Sequence, residues 1–227
     1  PCIWDPPRQR APPAPGLTAR MLGLDVGGGG GQVLEALAKN GDPQAVKFGI
    51  PMKNRKDCHF SFAGLKTAVR LAIQKAGGDL TSPLANTSAA ADIAASFQHV
   101  AIRHLEDRVL RALKLCREDT SLPELDSLVV CGGVAANQQV RARLVSLADK
   151  HAIRAVFPPA RLCTDNGVMV AWAGIERLRL GAVDDPCDMD VRARWPLGIT
   201  HTPQDAIKSD GTVKVISTKH TKLESTR

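Results

Sequence analysis

The chain has 227 residues, enough for one large domain or two small ones, and its 44% hydrophobic content allows a sizeable core. No apolar run approaches the roughly 18 residues that a membrane-spanning helix needs, so the chain reads as soluble. A formal charge of +7, with a pI near 9.3, suits a polyanion such as RNA, because Lys and Arg displace counterions from phosphates. Mitochondrial and plastid proteins are often basic too, so charge alone does not name a partner.

The first sixteen residues hold six prolines and no periodicity, which marks residues 1–17 as a disordered or unrelated lead-in. Five glycines, Gly27 to Gly31, stand ahead of a short predicted helix with Val33, Leu34 and Leu37 on its apolar face. Gly41-Asp42-Pro43 supplies its stop. Lys53-Asn54-Arg55-Lys56 is a basic cluster that reads first as a solvated turn and second as an RNA contact. "FSFAGLKTAVRLAIQKAGG" predicts a short strand, a turn at Gly64 and a helix of about ten residues ended by Gly77-Gly78.

The longest helix is predicted from about Ala89 to Arg117. Ile93, Phe97, Ala101, Leu105, Val109 and Leu113 recur every four residues and give it one buried stripe. His99 and His104 lie about 140° apart on that helix and cannot share a metal, so one is expected exposed and one half-buried. A buried strand over Ser127 to Cys131 follows, then Gly132-Gly133, then a helix over Gln138 to Lys150. "IRAVF" is a second strand closed by Pro158-Pro159, and "CTDNG" leads into a helix from Val168 to about Leu180. Strand, helix, strand, helix is the rhythm of an α/β sheet domain. Residues 200–227 form a polar, charged tail.

Three stretches carry chemistry. In "LVVCGGVAANQQVRARL" two residues without Cβ stand where a strand gives way to a helix, a corner at which backbone N–H groups can approach a phosphate or a ring face. Asn137 stands at the helix entrance, either as an N-cap or as a donor–acceptor pair for a base. In "CTDNG" the Asp165 carboxylate lies at the foot of a helix, where it acts as a cap or faces a hard cation. Glu35 falls one helical turn after Gly31 and can turn toward a ligand held at the glycines. The six cysteines show no CxxC pair or zinc-like cluster and read as reduced structural thiols.

Taken together, "FSFAGLKTAV", "ADIAASFQ", "VVCGGVAANQQVRARL", "PPARLCTDNGVMVAWAGIERL" and "RARWPLG" occur in the order found in the tRNA N6-adenosine threonylcarbamoyltransferases. The chain resembles that family from about Thr18 to Ile199, and its glycine-bearing insert looks most like the mitochondrial branch. The resemblance implies an α/β actin-like ATPase (ribonuclease H-like) fold with a metal and an adenylate in its cleft. It also implies transfer of the threonylcarbamoyl group from threonylcarbamoyl-AMP to N6 of adenosine 37 in tRNA. By motif position, Gly132, Gly133 and Asn137 bind the nucleotide, Gly31 and Glu35 contact the nucleoside, and Asp165 is a ligand of one divalent metal, Zn, Fe or Mg.

The expected partners are tRNA and threonylcarbamoyl-AMP, with a homodimer as a further assembly. Mitochondrial localisation is expected, with plastid or cytoplasm as the alternatives. The family's HxxxH pair and first-lobe phosphate loop have no counterpart here, and the place of its "FDK" aspartate is Gly16. The expectation is therefore mainly the second lobe of the fold, inactive on its own. A non-catalytic lobe that binds nucleotide or a partner is the alternative. "CTDNG" together with "RARWPLG" argues against a third reading, an actin-like kinase lobe.

Overall fold

The computed structural model describes residues 15–24, 30–80 and 84–182. The proline-rich start as far as residue 14, Gly27 to Gly29, "RARWPLG" and the polar tail lie outside them. Two compact units divide the chain, one up to Ala171 and one from Trp172.

Helix α1 (Pro15–Met21) takes in the last three residues of the stretch read as lead-in, with proline at its first position, where the missing N–H costs nothing. It is followed by α2 (Gly30–Ala38), α3 (Ala63–Lys75) and α4 (Thr87–Glu118). Gly31 therefore lies within the first turn of α2 rather than ahead of it. The short strand predicted before Gly64 does not form. The chain there is irregular, Gly64 is inside α3, and Phe60 and Phe62 set their ring edges against His104 instead of joining a sheet.

Helix α4 is the spine of the first unit. Asn86 caps it by accepting the Ala89 N–H, and its first half buries Ile93, Ala94, Phe97 and Val100 against Leu22, Leu34, Leu65, Val69 and Ile73. Beyond Val100 it carries Ile102 and Leu113 to α5 (Gln138–Lys150), where Val140, Leu144, Leu147 and Ala148 are buried. A bidentate ion pair between Glu106 and Arg143, with contacts of 2.7 and 2.6 Å, ties the two helices. Of the predicted stripe, Ile93, Phe97 and Leu113 are buried but Ala101, Leu105 and Val109 only half-buried, while Ala94, Ile102 and His104, which lie off it, are buried.

The loop after α2 lies directly on α4. Ser96 is fully buried, donates to the Asp42 carbonyl at 3.2 Å and accepts the Val46 N–H at 3.1 Å. Asp92 accepts the Asp42 N–H at 2.8 Å. A Cβ on Gly41 would sit 2.1 Å from the Ala91 carbonyl oxygen, so only glycine permits this approach.

Strands β1 (Ser127–Val129) and β2 (Arg154–Val156) pair in parallel through the α5 crossover, with Leu128 opposite Ala155 and Val129 opposite Val156. The strand expected to be buried is only half-covered. Leu128 faces the α4–α5 core, whereas Val129 is 66% exposed, because among the described residues no layer lies on the other face. Helix α6 (Gly167–Arg179) is the last described element, close to the predicted span. No described helix is long and apolar enough to cross a membrane.

Candidate functional site

The corner after β1 is built by backbone geometry. Gly132 has φ +90° and ψ 171°, a conformation that L side chains rarely adopt, and a single 3-10 turn (Gly133–Ala136) follows it. A Cβ on Gly133 would meet nothing within 4 Å, so packing makes no demand for glycine there. What the second glycine preserves is an open approach to the backbone. Asn137 then caps α5: its Oδ1 accepts the Val140 N–H at 3.0 Å, and its Nδ2 donates to Gln98 Oε1 on α4 at 3.3 Å. The N-cap reading of Asn137 is thus realised, with the side chain half-buried at the corner.

Glu35 reaches the same place from α2. Its Oε1 accepts the backbone N–H of Gln138, the first residue of α5, at 2.8 Å. That N–H has no partner within its own helix, and a carboxylate suits the positive end of the helix dipole. Gly31 lies one turn before Glu35 on the same face of α2. Glu35, Asn137 and the Gly132-Gly133 turn are therefore brought to one end of α5, although more than ninety residues separate Glu35 from the corner.

The third expected element, the Asp165 turn, is connected to that corner by Arg141. Arg141 Nε donates to the Ala135 carbonyl at 2.6 Å, and a terminal nitrogen donates to the Pro158 carbonyl at 2.5 Å and lies 3.3 Å from Cys163 Sγ. Its guanidinium also stands 5.0 Å from the centroid of the Phe157 ring. The cap of α6 is Asn166, not Asp165: Asn166 Oδ1 accepts the Met169 N–H at 3.1 Å while its Nδ2 donates to the Thr164 carbonyl. Asp165 is left exposed and free of that duty. Among the described residues no three His, Cys, Asp or Glu side chains converge, so the donors present do not make a divalent-metal site around Asp165.

A family model described as tRNA N6-adenosine threonylcarbamoyltransferase matches residues 11–172. The chain belongs to that family. It is 46% identical over 194 residues to the probable tRNA N6-adenosine threonylcarbamoyltransferase, mitochondrial, of Arabidopsis thaliana, covering 80% of this chain and 40% of that one. It is 46% identical over 181 residues to the tRNA N6-adenosine threonylcarbamoyltransferase of Rhizobium etli (strain CIAT 652), covering 79% and 47%. The namesake from Zymomonas mobilis is 45% identical over 180 residues, covering 79% and 46%. The chain thus spans less than half the length of these threonylcarbamoyltransferase relatives.

Two residues of this family member that sequence reasoning undervalued sit on α4, one turn apart. His104 is fully buried, not half-exposed: its Nε2 faces the Ser61 N–H at 3.5 Å, and its Nδ1 has no partner among the described residues. Burial, and then the Arg108 charge, lowers its pKa to about 4 against the pull of Asp107. Arg108 is 1% exposed and donates to the carbonyls of Asp57, Met52 and Arg55 at 2.5, 3.1 and 3.3 Å. It also pairs with Asp107. Burial raises the Asp107 pKa, but hydrogen bonds from Arg111 and Arg108, and their charges, more than offset it and hold the carboxyl below its ordinary range. The available signal was a histidine and an arginine four apart on a long helix beside an "FSF" segment.

Proposed function

We propose that the corner formed by Glu35, Gly132, Gly133 and Asn137 holds the adenylate of threonylcarbamoyl-AMP, with Gly31 beside it on α2. In the whole enzyme the threonylcarbamoyl group then passes to N6 of adenosine 37 in tRNAs reading ANN codons. The observation that carries this reading is the bond from Glu35 to the Gln138 N–H, which sets a carboxylate beside the glycine turn and Asn137. A carboxylate at the α5 N-terminus repels phosphate and accepts hydrogen bonds from hydroxyls, so Glu35 belongs at the ribose end of the ligand. The Gly132-Gly133 backbone and the Asn137 amide are left for the rest of the adenylate.

In the reaction the N6 amine attacks the carbamoyl carbon and a new C–N bond forms. The bond from that carbon to the AMP phosphate oxygen breaks, AMP leaves with the electron pair, and N6 gives up a proton. This chain's contribution is binding and orientation of the adenylate. Because no three His, Cys, Asp or Glu donors converge among the described residues, we place no metal step on Asp165 and propose that the chain does not turn over by itself, acting as a nucleotide- or partner-binding lobe. We also propose a mitochondrial location, which the plant relative's name supports; fractionation of tagged protein tests it.

Calorimetry with AMP tests the adenylate reading. The full chain is expected to bind, and Asn137→Ala and Glu35→Ala each to weaken binding about tenfold, the loss of roughly 1.4 kcal/mol. Equal AMP affinity in all three proteins would sink it. Incubation with tRNA, ATP, threonine, bicarbonate and an enzyme that makes threonylcarbamoyl-AMP tests inactivity: turnover that Asp165→Ala abolishes would overturn it.

A further inference from the structure

The basic turn at Lys53 to Lys56 is built unlike a solvated loop. Its carbonyls point inward onto two guanidinium groups of α4: Arg108 takes those of Met52, Arg55 and Asp57, and Arg111 takes that of Lys53 at 3.1 Å. The Arg55 N–H closes the turn onto the Met52 carbonyl at 2.9 Å. Asp57 and Asp107 pair with the arginines from either side. With its backbone fixed from within, the turn presents Lys53, Asn54, Arg55 and Lys56, all exposed, to solvent. The arginines and lysines of this cluster outnumber its two aspartates by three charges. A loop ordered in advance gives up little entropy when it binds.

Its place follows from α4. Gln98, which holds Asn137, and Arg108, which holds the turn, are ten residues apart on the same helix. At 1.5 Å per residue that separation is about 15 Å along the axis.

We propose that the Lys53–Lys56 turn is a phosphate clamp for the RNA substrate, gripping its backbone while the acceptor base meets the adenylate held at the Asn137 corner. This rests on the reading of tRNA as the substrate. Lys53 and Lys56 supply the contacts, because Arg55 is engaged by Asp57 at 2.7 Å. Lysine contacts to phosphate carry affinity without sequence preference, so the clamp positions the RNA and takes no part in base choice.

Anisotropy titrations of a labelled, unmodified tRNA transcript with the full chain test the clamp. The double variant Lys53→Gln/Lys56→Gln is expected to lose about tenfold in affinity, and its plot of log affinity against log salt to flatten by about two. Both lysines are exposed, so the melting temperature should not change. Asn137→Ala should leave the salt slope as it is. Unchanged affinity and slope in the double variant would overturn the clamp, as would failure of the chain to bind the transcript. Anionic phospholipid vesicles that displace the transcript at equal phosphate concentration would also overturn it, in favour of a membrane surface. Failure of the AMP experiment with RNA binding intact would count against the adenylate corner alone.

Discussion

Glu35 and Gln138 are joined by one hydrogen bond, 2.8 Å long, across 103 residues of chain. It unites a side chain on α2 with the first backbone N–H of α5, which α5 itself cannot satisfy. Glu35→Ala is expected to cost about 1 kcal/mol of unfolding free energy in urea. Glu35→Gln keeps an acceptor and should recover half or more of that loss. Equal destabilisation by the two variants would show that charge at the helix end, rather than the bond, is what counts.

Gly41 leaves no room for a side chain, because its Cβ would fall 2.1 Å from a backbone oxygen of α4. Neither partner can rotate away. Gly41→Ala should therefore displace the loop that carries Asp42 and Val46 off Ser96 and cost about 3 kcal/mol or more. Denaturant midpoints measure this, and a loss below 1 kcal/mol would mean that the loop is not held against α4.

The buried His104 makes stability depend on pH in a defined window. Its folded pKa of about 4 lies below the ordinary value of 6.5, so between those values the unfolded state binds more protons. Stability should fall as pH drops from about 6.5 toward 4, by roughly 3 kcal/mol for this group. His99, lowered by its own burial and then by Arg143 and Arg103, acts with the same sign. Asp57 and Asp107, held low, lose their contribution only in more acid solution. His104→Phe should flatten the pH 4–6.5 portion of the curve, and a His104→Phe curve parallel to that of the parent would contradict this assignment.

Apolar side chains stand bare in both units. Val129, Val134, Val168 and Val170 are 66, 47, 64 and 72% exposed in the first, and Trp172, Leu178 and Leu180 are 59, 66 and 82% exposed in the second. Such a surface favours self-association. Sedimentation at increasing concentration should show a rising mean mass that Val168→Lys/Val170→Lys reduces. A single monomeric species across the range would refute it.

The local parts of the fold were legible in the sequence because they rest on periodicity and caps. The four-residue recurrence from Ile93 to Leu113 located α4, and Asn137 located the start of α5 to the residue. The strand before Gly64 was misjudged because Phe60 and Phe62 have strand propensity, and only tertiary packing on His104 decides otherwise. Covering of the sheet was overestimated for the same reason, since an apolar strand does not say what lies on it. At the corner, Gly132, Gly133 and Asn137 were visible as a motif, but their meeting with Glu35 was not, because no local rule links residues so far apart. Asp165 and Asn166 compete as caps with nearly equal propensity, and the chain uses Asn166.

Arg141 joins the glycine corner to the segment from Pro158 to Cys163 through one cation. The two segments are consequently not independent walls but a single mechanical body with that guanidinium as its rivet. Displacement of the Pro158–Cys163 segment is expected to reach the Ala135 carbonyl, two residues before Asn137, through these bonds. Occupancy at one end of this body should therefore be felt as stiffness at the other.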